Sequence, residues 1–365
     1  MPSIIYLDNA ATMPVSKETA EKSAVFLDTE FYNPSAGYSG GIETAKQISS
    51  ARSYLLGRLG GDGTLVFTGS ATEANNYIIN SGHKNKRGNI VISKGEHPSI
   101  TVTATASGAN VKHIGLNSDG TVNEAELLSM IDSNTSLVSV FHVSNETGAI
   151  NDINKLAHAV KEINPNVIFS GDGVQAFCKY GYSLSNDIDL YSISAHKIGG
   201  TKGVGGLFIK KGLNLRPCLY GGGQEGGLRS GTENVYGIMS FEYAARSFEK
   251  KNGLLLKERF LMSLKNSASE KSIRYTVNGN GNWIISISFE GIKGEILQRL
   301  LGQRNIFVGK GAACSGNTTG NRTLEAMKVP KKLIDESIRV SFGWQNTPEE
   351  AETAGRIITE VLSGM

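Results

Sequence analysis

The 365-residue chain has only three cysteines, eight prolines and two tryptophans. Cys178, Cys218 and Cys314 form an odd, sparse set with no CxxC pair, which argues against a disulfide framework or a zinc site and leaves no metal expected. Scarce proline beside 44 glycines points to tight turns and close backbone approaches, not to a disordered linker. The formal net charge is only +3, and no basic stripe runs along the chain, so direct nucleic-acid binding is not expected. No apolar run approaches the ~18 residues of a membrane span. The opening Met1-Pro2-Ser3-Ile4-Ile5-Tyr6-Leu7-Asp8 lacks the basic region and long apolar run of a secretory signal, so the expected location is cytoplasmic. Internal repeats and low-complexity tracts are also missing.

What is present is an ordinary globular composition, 39% hydrophobic and 19% charged, in a chain long enough for one large domain and a smaller one. Short apolar runs bounded by Gly, Asn, Asp or Ser read as buried strands at 64–67, 89–93, 111–116, 137–143, 167–170, 190–194 and 205–209. Helical patterns begin at Ser70 and span 154–163. This alternation predicts an α/β fold with a mostly parallel sheet, and ligands of such sheets gather beyond the strands' carboxyl ends. After Gly231 the pattern changes. Helices are expected at 232–248, 254–266, 294–301 and 348–362, with strands at 283–289 and 337–342. The expected division is a large domain over 15–235 and a small α+β domain made of 1–14 and 236–365.

Several segments carry chemistry at strand ends. Ser194-Ala195-His196-Lys197 precedes a glycine cluster, as a Schiff-base lysine beside a phosphate site would; taken alone, the segment fits a solvated turn lysine better. Thr68-Gly69-Ser70-Ala71-Thr72-Glu73 opens a helix, with a Ser70–Glu73 capping box and an N-terminus suited to phosphate. Asp172, in Gly171-Asp172-Gly173-Val174-Gln175, is either a helix cap or the acid that keeps a pyridinium nitrogen protonated. His97 stands ready either to stack on a cofactor ring and shuttle protons or to have no role. Cys314 lies among glycines and small residues with Lys310 nearby, the setting of an accessible thiol that Lys310 helps to ionise. Cys178 and Cys218 sit in more apolar surroundings. An amine, an acid and a phosphate cradle on successive strand ends are the three anchors pyridoxal phosphate requires.

Together these segments resemble the NifS/IscS-type cysteine desulfurases of the class V aminotransferases, pyridoxal-phosphate enzymes of fold type I. The likeness runs through Tyr6-Leu7-Asp8-Asn9-Ala10-Ala11-Thr12, Asn33-Pro34-Ser35, Glu96-His97, His142-Val143-Ser144-Asn145-Glu146-Thr147-Gly148, Gly221-Gly222-Gly223-Gln224-Glu225 and Leu228-Arg229-Ser230-Gly231-Thr232 as well. It implies that Lys197 forms the Schiff base, that Asp172 pairs with the pyridinium nitrogen and that Gln175 bonds the cofactor's phenolic oxygen. His97 would stack on the ring with Asn145 beside it. Ala71, Thr72, Ser194 and His196 would hold the phosphate, and Thr232 would reach the phosphate of a second subunit in a homodimer. The implied substrate is L-cysteine, bound with help from Asn145 and Arg339. The Cys314 thiolate would take its sulfur as a persulfide, release alanine and pass the sulfur to an acceptor protein, such as an iron–sulfur scaffold or a tRNA-thiolation protein.

The chain departs from the family pattern at three places. A Gly-Arg pair after the late strand is expected to supply the arginine that grips the substrate carboxylate, and Gly343-Trp344 stands there instead. Gly226 replaces the arginine of the Gln-Glu-Arg-Gly stretch, and Tyr38 replaces a histidine. Trp344 and Gly226 raise the expectation of weakened or altered cysteine recognition. The alternatives are another pyridoxal-phosphate lyase, such as a selenocysteine or cystine lyase, or an impaired homologue serving as an accessory subunit.

Overall fold

A computed structural model describes residues 4–82, 88–248, 252–310 and 321–364. Its strands, in chain order, are β1 (Ile5–Leu7), β2 (Gly63–Thr68), β3 (Asn89–Ser93), β4 (Asn110–Ile114), β5 (Thr135–Phe141), β6 (Ile168–Asp172), β7 (Leu190–Ser194), β8 (Gly205–Lys210), β9 (Tyr275–Asn278), β10 (Ile284–Phe289), β11 (Ile306–Val308) and β12 (Ser337–Ser341). Seven of them form one sheet in the order β2-β8-β7-β6-β5-β3-β4. β8 runs antiparallel to both its neighbours, and the other six share one direction.

Strand periodicity divides the core. Val66, Ile90, Ile92, Leu207 and Ile209 face one side, where they pack with Tyr77 and Ile78 of the helix Ala71–Gly82 and Ile100 of the helix Pro98–Ala106. Their neighbours Leu65, Phe67, Val91 and Phe208 face the other side, as the two-residue repeat of a strand requires. There they join a cluster that includes Leu156 and Val160 of the helix Ile153–Ile163 and continues into the C-terminal region through Trp283, Ile285 and Ile287. Every residue of β3 and β7 is buried, which explains why these strands read as unbroken apolar runs.

The C-terminal region is built on a second sheet, β12-β10-β9, antiparallel throughout. The helices Gly253–Glu270 and Pro348–Ser363 cross closely; a Cβ on Gly355 would sit 2.7 Å from the Phe260 carbonyl oxygen. β1 pairs in parallel with β11, and Asp8 bridges to Ser341, so the first residues of the chain are fixed to its last third. Among the described residues no helix is long and apolar enough to cross a membrane.

Most expected elements stand within three residues of their expected ends; the helix Gly253–Glu270 runs further. β1, β9 and β11 were not expected: they have three or four residues each, too short to show a period.

Candidate active site

The carboxyl ends of β2, β3, β5, β6 and β7 converge on one cavity of about 310 Å³. Ala71 and Thr72 line it from the helix that follows β2. That helix start is held in two ways. Ser70 Oγ accepts the Glu73 amide at 3.2 Å, and the Glu73 carboxylate turns back to accept the Gly69 amide at 2.8 Å. The expected capping box is therefore half formed, with Glu73 reaching Gly69 instead of Ser70. Its other oxygen takes Arg229 Nε at 2.9 Å. Gly205 of β8 passes so near that a Cβ there would lie 2.6 Å from the Ser70 carbonyl carbon and 2.7 Å from the Ala71 nitrogen.

Asp172 ends β6 as a buried acid. One carboxylate oxygen accepts the Val174 amide and the other accepts Asn75 Nδ2, both at 3.0 Å. Asn75 also donates to Ser99 Oγ at 2.9 Å, and Ser99 Oγ lies 2.8 Å from His97 Nδ1. The Ser99 amide donates to the same ring nitrogen at 3.1 Å, leaving Nε2 as the nitrogen available to the cavity. Burial, together with the Lys197 and Arg322 charges, lowers the His97 pKa against the opposing pull of Asp172, which favours the neutral ring. Glu96, fully buried beneath this corner, accepts the Phe141 amide at 2.6 Å and Ser93 Oγ at 3.0 Å. Burial first and Asp172 second push its carboxyl well above the usual range.

Lys197 sits in the short turn after β7. Its Nζ donates to the Ala10 and Ala11 carbonyls at 2.7 Å each, so the N-terminal segment closes this side of the cavity. Gln175 Nε2 donates to the same Ala10 carbonyl at 2.9 Å. His196 Nδ1 lies 3.1 Å from Thr12 Oγ1, and burial followed by the Lys197 charge pulls its pKa down to about 3. Arg339 of β12 enters from the other sheet. It is buried, donating to the Asn145 carbonyl at 2.7 Å and to Asp8 Oδ1 at 2.8 Å, while its buried Nε has no partner among the described residues.

Ala71, Thr72, His97, Asn145, Asp172, Gln175, Ser194, His196, Lys197 and Arg339 thus meet around one space. Thr232 is not among them; it is exposed, in a separate cleft with Gly69, Arg229 and Glu233. Cys314 lies outside the described residues. Sequence reading assigned no role to Asn75 or Ser99, nor to Glu96 beyond its place beside His97. Asn75 carries one available signal, its four-residue spacing from Ala71 on a single helix face.

The three departures from the family pattern lie off the cavity. Trp344 faces away from the cavity: its Nε1 donates to the Pro14 carbonyl at 2.8 Å, its ring packs against Gly199, and it lines a groove with Ser16 and Phe248. The cationic side chain at the cavity from this part of the chain is Arg339, five residues earlier. Gly226 also lies off the cavity. It has φ +63°, and a side chain there would point into open space. Tyr38 is exposed beside Tyr32. None of the three substitutions alters the cavity wall.

The residues present fit pyridoxal phosphate. Asp172 is a buried acid for the ring nitrogen, Lys197 an amine for the carbonyl, Gln175 a donor, and the helix start at Ala71 an anion site. Comparison with known proteins agrees. Residues 5–353 match the family described as aminotransferase class-V. A curated cysteine desulfurase IscS of Methanosarcina thermophila is 32% identical over 98% of this chain and 92% of its own. A putative cysteine desulfurase IscS 1 of Bacillus subtilis is 30% identical over 98% of both. Among solved structures, a NifS-like protein superposes with a TM-score of 0.89 at 30% identity over the whole of both chains. A structure of SspA in complex with cysteine gives 0.82 at 25% identity, covering 94% of this chain and 100% of the other.

Proposed function

The chain belongs to the class V aminotransferase family and is a pyridoxal-phosphate-dependent cysteine desulfurase, and on that basis we propose which residues do the work and what the sulfur serves. The observation that carries the assignment of roles is the meeting of Lys197, Asp172, Gln175 and Arg339 in one cavity at the strand ends. The cofactor, when bound, supplies an electron sink for bonds broken at the substrate's carbons. Ala71, Thr72, Ser194 and His196 would hold its phosphate, Asp172 would keep its ring nitrogen protonated, and Lys197 would be the amine that attaches it. His97, whose burial favours the neutral ring, would lie against the cofactor and exchange protons through Nε2. Arg339 grips the cysteine carboxylate, with Asn145 beside it; its guanidinium is already fixed by Asp8 and by the Asn145 carbonyl, so little order is lost on binding.

Cys314 is the nucleophile. Its thiolate attacks the substrate sulfur, forming a sulfur–sulfur bond as the carbon–sulfur bond breaks. The electron pair left on carbon takes up a proton, giving alanine and a persulfide on Cys314. The persulfide is then handed to an acceptor protein, an iron–sulfur scaffold or a tRNA-thiolation protein. A homodimer belongs to the same reading, in which the exposed Thr232 reaches the phosphate held by a second subunit. So do a cytoplasmic location and a division into 15–235 and 1–14 with 236–365, which would put the cavity at the junction.

The test is cysteine turnover, read as alanine and sulfide released, beside the visible spectrum. Cys314→Ala should lower turnover at least about a hundredfold and keep the visible band. Lys197→Ala should abolish the band. Full turnover in Cys314→Ala would remove that residue from the mechanism.

A further inference from the structure

Lys179 is the least expected side chain near the cavity. It does not line the space, yet its amine is fully buried beside it. Burial pushes its pKa well below the usual lysine range, and the Lys197 and Arg339 charges push the same way, with only the Cys178 thiol opposing. No carboxylate pairs with it among the described residues, and a buried lysine without a counter-ion is costly and unusual. The one hydrogen bond of its amine among the described residues goes to Gln175 Oε1, at 2.7 Å. Gln175 is itself buried, and its Nε2 donates to the Ala10 carbonyl, the same oxygen that accepts from Lys197.

This arrangement leaves the Gln175 amide one orientation. An amide has an acceptor end and a two-proton donor end. The Ala10 carbonyl accepts only, so turning the amide over would set two acceptors against each other. Lys179 occupies the acceptor end, and the second Nε2 proton is left for the cavity. We propose that Lys179 is a positioning residue, which holds the Gln175 oxygen inward so that the cofactor's ring oxygen meets a donor. The inference rests on the cofactor reading above.

The experiment uses the full-length enzyme loaded with pyridoxal phosphate, reading the pH titration of its visible band and the cofactor dissociation constant. A donor at the ring oxygen stabilises its anionic form, so losing the donor should raise the pKa of the band. Lys179→Met should raise it by about half a unit or more and weaken cofactor binding roughly fivefold. Lys179→Gln keeps an N–H for Gln175 Oε1 and should recover at least half of the shift. In a Gln175→Ala background, Lys179→Met should add nothing. An equal shift with and without Gln175 would mean that Lys179 acts by charge alone, and the proposal fails. An unchanged band in both Lys179 variants would reduce it to a core filler, and the proposal fails there too. If Lys179→Met does not fold, Lys179→Gln against Gln175→Ala decides. A wild-type protein with no visible band overturns the cofactor reading itself, a result distinct from any of these.

Discussion

Single histidines in this protein are defined by what burial does to their charge. His142 sits under the Asp172 strand end, with Nδ1 2.6 Å from the Tyr191 hydroxyl, which in turn donates to Tyr182 at 2.9 Å. Burial pulls its pKa down to about 4, against a weaker opposing effect of Asp152. In the unfolded chain the same ring protonates near 6.5. Between those two values the unfolded state binds the extra proton, so stability rises with pH there and is lost as the pH falls from about 6.5 toward 4. One such proton is worth about 1.4 kcal/mol per pH unit. His142→Gln should therefore flatten the decline in stability between pH 6.5 and 5, measured by urea unfolding of the loaded enzyme. Parallel slopes for the two proteins would show that His142 is not the group responsible.

At the scale of an element, β8 does more than complete the sheet. It is the strand of the seven-stranded sheet that runs backward, and its first residue stands behind the start of the helix Ala71–Gly82. A Cβ on Gly205 would press on the backbone of Ser70 and Ala71, whereas one on Gly206 would meet only the side chains of Leu65 and Ile193. Backbone at a helix start cannot yield as side-chain ends can. Gly205→Ala is expected to weaken cofactor binding about tenfold or more, and Gly206→Ala distinctly less, with both proteins folded by circular dichroism. Equal affinities in a spectral titration would refute this account of the cradle. Much of this scale was legible beforehand. β3 and β7 announce themselves as apolar runs, and Lys197 and Asp172 fall just at strand ends. The reversal of β8 was not legible, because a strand buried on both faces reads the same in either direction.

At the scale of the whole molecule, the question is which arginine meets the substrate. In the sequence, the family pattern pointed to position 344, where tryptophan stands, with Arg339 as a further substrate contact. The tertiary structure turns Trp344 toward Pro14 and Gly199 and brings Arg339 to the cavity instead. Trp344→Arg should thus change the Michaelis constant for cysteine by no more than about twofold, while Arg339→Lys should raise it more than about tenfold, since an ammonium cannot replace a two-pronged guanidinium. A large gain in cysteine affinity from Trp344→Arg would restore the first reading. Trp344 has work of its own here, tying the segment that carries Ala10 and Ala11 to the turn after Lys197.

The sequence by itself determined the strands of the large sheet and the order of the candidate anchors along the chain, because those depend on local periodicity and on residue chemistry. Only the tertiary structure decided which side chains share the cavity. Ala10, Gln175, Lys179 and Lys197 are joined by three hydrogen bonds across up to 187 positions. Arg339 reaches Asp8 across 331 positions. Contacts of that span are set by how the two sheets and the N-terminal segment pack together, and no local pattern records them.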